Sequence, residues 1–142
     1  MALANSFKRI SPLDLNKNVP IGVQFPLDRE NLQRGSETSK EQARTDLMNL
    51  ILTEPGERVF LLDYGVGLKR FLFEQGDQNT LSDIETALRA RIEKQIEFYL
   101  PQISLKDIFC YFNEEINTLT VKIVYNYRLD NTKDAIQLNF KR

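Results

Sequence analysis

The chain of 142 residues predicts an α+β fold, with helices packed on one face of a small antiparallel or mixed β-sheet. Two observations carry that prediction. Apolar residues recur about every four positions over residues 81–99, the period of a one-sided helix. After Pro101 the period drops to two and stays there to the last residue, the pattern of half-buried strands. Helices first and strands last in a block separate this pattern from an alternating α/β chain.

Residues 1–35 read as a partly irregular N-terminal arm, punctuated by Pro12, Pro20 and Pro26. Within it Ile21, Val23 and Phe25 alternate, which predicts one short strand closed by Pro26 or confined by it to an edge. The few apolar residues of the arm favour ordering on a partner. Residues 36–142 then form a single domain. Gly35 and Ser36 suggest a turn. Ser36 or Thr38 can cap a first helix, and Glu37 and Glu41 suit its positive end. Ala43, Leu47, Leu50 and Ile51 share one face of that helix, and Pro55-Gly56 stops it. Gly65 and Gly67 bracket a second turn, which leads into a short helix over 68–74 bearing Leu68, Phe71 and Leu72.

The second long helix starts at Ser82-Asp83-Ile84-Glu85, a sequence with the form of a capping box. Ile84, Leu88, Ile92 and Ile96 form its buried stripe, flanked by Leu81 and Tyr99. Arg89, Arg91, Glu93, Lys94 and Glu97 form its solvated face, and Pro101 ends it. Ile103 and Leu105 begin a first strand that continues through Phe112. Leu119, Val121, Ile123, Tyr125 and Tyr127 line one face of the next. Ile136, Leu138 and Phe140 alternate with Gln137, Asn139 and Lys141 in the last. Short polar links make the three strands an antiparallel meander with an open edge.

Composition removes several functions. Nineteen basic and twenty acidic residues leave a net charge of -1, spread evenly, with no basic block to track phosphates. The chain is therefore not expected to bind nucleic acid. Histidine is absent, which removes the commonest general base and most zinc and iron sites. Cys110 is the single cysteine, so no internal disulfide or thiolate cluster can form. Its apolar setting predicts a buried structural thiol. No cofactor and no metal are expected. No window is long and apolar enough to span a membrane, and no signal segment opens the chain.

Residues 50–74 stand out. A helix ends, a Pro-Gly turn carries Glu54, Glu57 and Arg58, an apolar run follows, and a glycine turn opens another helix. Glu54 and Glu57 are poorly spaced for a glycosidase acid pair, and Arg58 would keep both ionised. Gly65-Val66-Gly67 lacks the third glycine and the Lys-Ser/Thr of a phosphate loop. Two readings of Glu54 and Arg58 stay open: an internal ion pair that fixes the loop, or a surface that meets another protein.

The run Thr53-Glu54-Pro55-Gly56-Glu57-Arg58, with Tyr64-Gly65-Val66-Gly67-Leu68 and Phe71-Leu72-Phe73-Glu74 after it, resembles the sheath-initiator family of contractile phage tails. That family comprises baseplate wedge subunits, with relatives in type VI secretion. Its signature is a Glu-Pro-Arg motif, matched by Glu54, Pro55 and Arg58. The resemblance covers roughly residues 40–142. It implies a non-enzymatic structural protein, located in the baseplate of a virion tail and assembled in the host cytoplasm. The implied partners are baseplate wedge proteins, docked through Glu54, Pro55, Glu57 and Arg58, and the tail sheath protein. Tube or hub proteins are further candidates. The sheath would add a strand to Ile136, Gln137, Leu138, Asn139 and Phe140, whose alternating run leaves an edge with unpaired backbone groups.

Two alternatives accompany this reading. One is a lysozyme-like peptidoglycan hydrolase using Glu54, Glu57 or Glu74. The other is a regulatory protein-binding module of the same fold.

Overall fold

The computed structural model describes residues 11–15, 19–24, 35–36, 38–69, 81–113, 115–116 and 118–141. The chain divides into two compact units, residues 1–46 and 47–142.

In the first unit, β1 (Gly22–Val23) pairs antiparallel with β2 (Gly35–Ser36), Gly22 opposite Ser36. Of the strand expected over Ile21, Val23 and Phe25, Gly22–Val23 is present as a two-residue pair, and Phe25 and Pro26 lie outside the described residues. Gly35 and Ser36, expected to turn, are extended instead. The reason is close approach: a Cβ at Gly35 would collide with the Pro20 ring. Helix α1 (Ser39–Leu52) follows, and the Thr38 hydroxyl accepts from the Glu41 N–H at 3.3 Å as its cap. A second cap comes from far away in sequence. The 3-10 turn Pro12–Leu15 presents Asp14, which is fully buried. Its Oδ1 accepts from the Ser39 N–H and hydroxyl, both at 2.7 Å, and its Oδ2 from the Ser11 N–H at 3.0 Å. A carboxylate at the positive end of a helix dipole satisfies both partners.

In the second unit, Leu47, Leu50 and Ile51 of α1 are buried, as are Leu88, Ile92 and Ile96 of α2 (Leu81–Tyr99). The expected core faces are therefore observed at these positions, and the side chains of Leu81 and Ile84 lie outside the described residues. The capping box is not. Ser82 lies inside α2, whose described span already includes Leu81. Glu85 reaches across to the sheet instead, where its Oε1 accepts the Cys110 N–H at 2.6 Å. The short helix expected over 68–74 is helical at residues 68–69, and the rest of it, with Phe71, Leu72 and Glu74, lies outside the described residues.

Strands β3 (Ile103–Asn113), β4 (Thr118–Tyr127) and β5 (Thr132–Lys141) form the antiparallel meander in the order β3-β4-β5. A bulge between Leu105 and Asp107 resets the alternation of β3. Ile103 before it and Ile108 and Cys110 after it can therefore all be buried, although the parity changes. Phe109 and Tyr111 fall on the opposite face and are exposed, their rings stacked at 6.4 Å. Val121, Ile123, Tyr125 and Ile136 complete the buried face. The β4–β5 turn places Asn131 at φ 54°, and the Asp130 side chain accepts from the Thr132 N–H at 3.1 Å.

Candidate functional site

The segment after α1 is built by two glycines. The last carbonyls of a helix lack intrahelical donors. Here Asn49 O accepts from the Thr53 N–H at 2.9 Å, and Leu50 O from the Val66 N–H at 3.0 Å. Thr53 O accepts from the Gly67 N–H at 2.9 Å. The segment 65–67 thus lies directly against Thr53, Glu54 and Pro55. At Gly65 (φ 114°) a Cβ would collide with Thr53 O. At Gly67 (φ 64°) it would stand 2.6 Å from Glu54 Oε2 and 2.9 Å from Pro55 Cδ. Only glycine serves at either position. The Gly65 N–H donates to Gln95 Oε1 at 3.2 Å, and Gln95 returns a bond to Asp63 O at 2.9 Å. All three backbone N–H groups of Gly65-Val66-Gly67 are consumed internally, which rules out a phosphate cradle here.

The turn itself closes through the Glu54 N–H, which donates to Glu57 Oε2 at 3.1 Å, and the Glu57 N–H, which donates to Glu54 O at 3.1 Å. Glu57 is therefore a bracket of the loop and not one wall of a cleft. Arg58 does not lie against Glu54. Its guanidinium sits over the Tyr64 ring, 3.9 Å from the centroid. Tyr64 meets Tyr99 edge-on at 4.9 Å, and Tyr99 meets Phe98 at 4.8 Å. The loop is thus clamped to α2 by a cation–π and aromatic chain. Between loop and helix is a recess of about 710 Å³, lined by Pro55, Gly65, Phe98 and Tyr99 with Arg91 and Lys94 among its charged walls.

Sequence reasoning missed the most exposed part of this region. Val59, Phe60, Leu61 and Leu62 all face solvent, Phe60 at 96% and Val59 at 80%. Phe98 beside the recess is 78% exposed. The run Val-Phe-Leu-Leu reads as a buried strand, and only its place between two backbone-braced turns reveals that it is displayed. Isolated exposed apolar residues need no explanation, but four in a row on a braced loop form a contiguous apolar surface.

The second candidate surface is the β5 edge. The direction of each backbone group follows from one bond. The Cys110 N–H points away from β4, to Glu85. Cys110 stands opposite Val121, so Val121 directs its own groups to β5. Leu138 stands opposite Val121 and directs its groups back to β4. Thr132, Asp134, Ile136, Leu138 and Phe140 therefore hydrogen-bond inward, and Lys133, Ala135, Gln137, Asn139 and Lys141 turn N–H and C=O outward. Among the described residues none pairs with the outward groups of Gln137 or Asn139. Gln137 and Asn139 are exposed, Ile136 is buried, and Leu138 and Phe140 are half-buried.

Comparison with known proteins agrees with this architecture. No curated protein sequence matches the chain. Among solved structures, a putative tail lysozyme from Geobacter sulfurreducens superposes with a TM-score of 0.57 at 19% identity, over 73% of this chain and 91% of that one. It shares the fold. The anti-feeding prophage baseplate gives a TM-score of 0.49 at 22% identity, covering 83% of this chain and 82% of that one. The postcontracted pyocin R2 baseplate gives 0.48 at 16% identity, covering 81% and 95%. The family model described as baseplate wedge protein gp25 matches residues 37–132, well over half of the sequence, and the chain belongs to that family.

Proposed function

We propose that this structural baseplate protein joins the wedge proteins to the tail sheath and templates the first sheath subunits by β-strand addition at β5. One observation carries the proposal. The meander has an outer strand of ten residues whose outward backbone groups at Gln137 and Asn139 have no described partner, while its inward face is committed to the core. Such an edge accepts a strand by main-chain hydrogen bonds, with alternate side-chain positions adding specificity.

The test is a proline at Asn139. Its N–H points outward, so the substitution removes a donor needed by an added strand and none needed by β4. We expect Asn139→Pro to keep the wild-type circular dichroism spectrum and lose nucleation of the cognate sheath protein in a copolymerisation assay. Normal nucleation by the folded variant would rule out strand addition at this edge.

The loop 54–58 supplies the wedge-docking surface in this reading, extended by Val59–Leu62. Glu54, Pro55 and Glu57 shape the turn, and Arg58 and Phe60 are its exposed anchors, residue types that dominate protein interfaces. Phe60→Asp should leave the melting temperature nearly unchanged and Arg58→Ala should lower it slightly, through loss of the contact with Tyr64, and both should reduce incorporation into baseplates, Phe60→Asp more severely. Full incorporation of both would remove this loop from the interface.

A further inference from the structure

We infer that Asp134 sets the register of the strand that β5 accepts, by occupying the Ala135 N–H, an outward donor near the start of the edge. The inference rests on β5 being the acceptor edge. It starts from a small departure at the beginning of the strand. The Ala135 N–H points outward by the same alternation that turns Gln137 and Asn139 outward. It is not open: it donates to Asp134 Oδ1 at 2.8 Å. The other oxygen, Asp134 Oδ2, accepts from the Tyr125 hydroxyl at 2.8 Å, on the cross-strand partner. Tyr125 is buried, so its ring is held by the core and the carboxylate is held by the ring.

The effect is a plug at one end of the edge. A bond from an N–H to a carboxylate is stronger than one to a peptide carbonyl. An incoming strand therefore gains little by competing for Ala135 and pairs from the Ala135 carbonyl onward, with Gln137 and Asn139. Backbone hydrogen bonding alone does not choose a register, since every two-residue slip presents equivalent groups. A blocked donor at Ala135 breaks that equivalence. The side chains name the occupant's chemistry as well. On one face it lies beside Ile136, Leu138 and Phe140, and on the other beside Gln137 and Asn139. It is an extended segment of another chain, apolar at every second position.

Hydrogen exchange read at single amides by NMR, on the full chain with and without the cognate sheath subunit, tests this. In the wild type, sheath should protect the Gln137 and Asn139 amides and leave Ala135 unchanged. In Asp134→Ala, the free chain should lose protection at Ala135 by about tenfold or more, the worth of a bond to a charged group. Sheath should then protect Ala135 too, as the strand runs on or slips by two residues. Asp134→Asn keeps the size but offers only a neutral amide oxygen, so Ala135 protection in the free chain should fall between wild type and Asp134→Ala. Identical patterns in wild type and Asp134→Ala overturn the register role while leaving strand addition intact. Absence of protection at Gln137 and Asn139 in the wild type overturns strand addition itself, and the register role with it. If Asp134→Ala fails to fold, Tyr125→Phe removes only the hydroxyl that steadies the carboxylate. It should raise Ala135 exchange in the free chain, and unchanged exchange there overturns the inference.

Discussion

The two outer strands of one three-stranded sheet meet opposite fates. On β3, two outward groups are taken by side chains of α2: Glu85 accepts from Cys110 N–H, and Arg89 Nη2 donates to Lys106 O at 3.0 Å. On β5, among the described residues, no helix side chain meets the outward groups, and Ala135 N–H is taken by its own neighbour Asp134. Both strands are long and both alternate. What differs is whether a helix rises beside the edge with the right polar groups at one-turn spacing. Glu85 and Arg89 are four residues apart, so both lie on the face of α2 that flanks β3. An exposed edge is a liability unless it is used, and the protein closes one edge and leaves the other.

The sharpest way to break the comparison is to exchange inward for outward on β5 itself. Leu138 directs its N–H to β4, and Asn139 directs its own to solvent. Leu138→Pro should cost about 3 kcal/mol or more, because it deletes a ladder bond and forces the ring into the strand pairing. Denaturant titration should show its midpoint far below wild type, with Asn139→Pro close to it. A larger loss for Asn139→Pro than for Leu138→Pro would mean that the inward and outward assignment of β5 is reversed.

The second test opens the closed edge. Glu85→Ala leaves the partly buried Cys110 N–H without an acceptor, a loss of about 2 kcal/mol and several degrees in melting temperature. With an outward donor restored to β3, concentration-dependent oligomers should appear on size-exclusion chromatography. Cys110 offers a separate readout. Burial first, and the Glu85 carboxylate second, push its thiol from 9.0 up to about 11. At neutral pH the thiol therefore stays protonated and unreactive. Glu85→Gln keeps an acceptor for the N–H but removes the negative charge. The thiol pKa then falls, and alkylation by iodoacetamide at pH 9 should be faster than in wild type. An unchanged rate would mean that burial alone controls the thiol.

This asymmetry was only half legible in the sequence. The period of four over Leu88, Ile92 and Ile96 and the period of two over Ile136, Leu138 and Phe140 reveal the elements and their buried faces, because burial acts on spacing. The open edge was legible too, since β5 is the last strand of a meander. The closed edge was not. Ser82-Asp83-Ile84-Glu85 satisfies the local rule for a cap, yet Glu85 serves a strand twenty-five residues away. A local motif and a tertiary contact use the same carboxylate, and sequence spacing cannot say which one it meets. Asp14 on Ser39 is hidden for the same reason, with an equal separation of twenty-five residues. The pairing of Arg58 was also out of reach. Charge favours Glu54, four residues before it, but the glycine segment presses Glu54 against Gly67 and leaves Tyr64 under the guanidinium.

The smallest expected effect decides how β3 is closed. Arg89 joins three acceptors: Lys106 O, Asp107 Oδ1 at 2.8 Å and Glu93 Oε1 at 3.8 Å. Its side chain is 41% exposed, so solvent screens all three. Arg89→Ala should cost about 0.5 kcal/mol, the scale of an exposed ion pair, and the difference should shrink as salt rises. Arg89→Lys should not recover it fully, because an ammonium cannot reach a carbonyl and a carboxylate with one planar fork. If Arg89→Ala stays monomeric while Glu85→Ala associates, a single carboxylate on one N–H closes the edge. If both associate, closure needs the pair, and the one-turn spacing of Glu85 and Arg89 is what the strand requires of the helix.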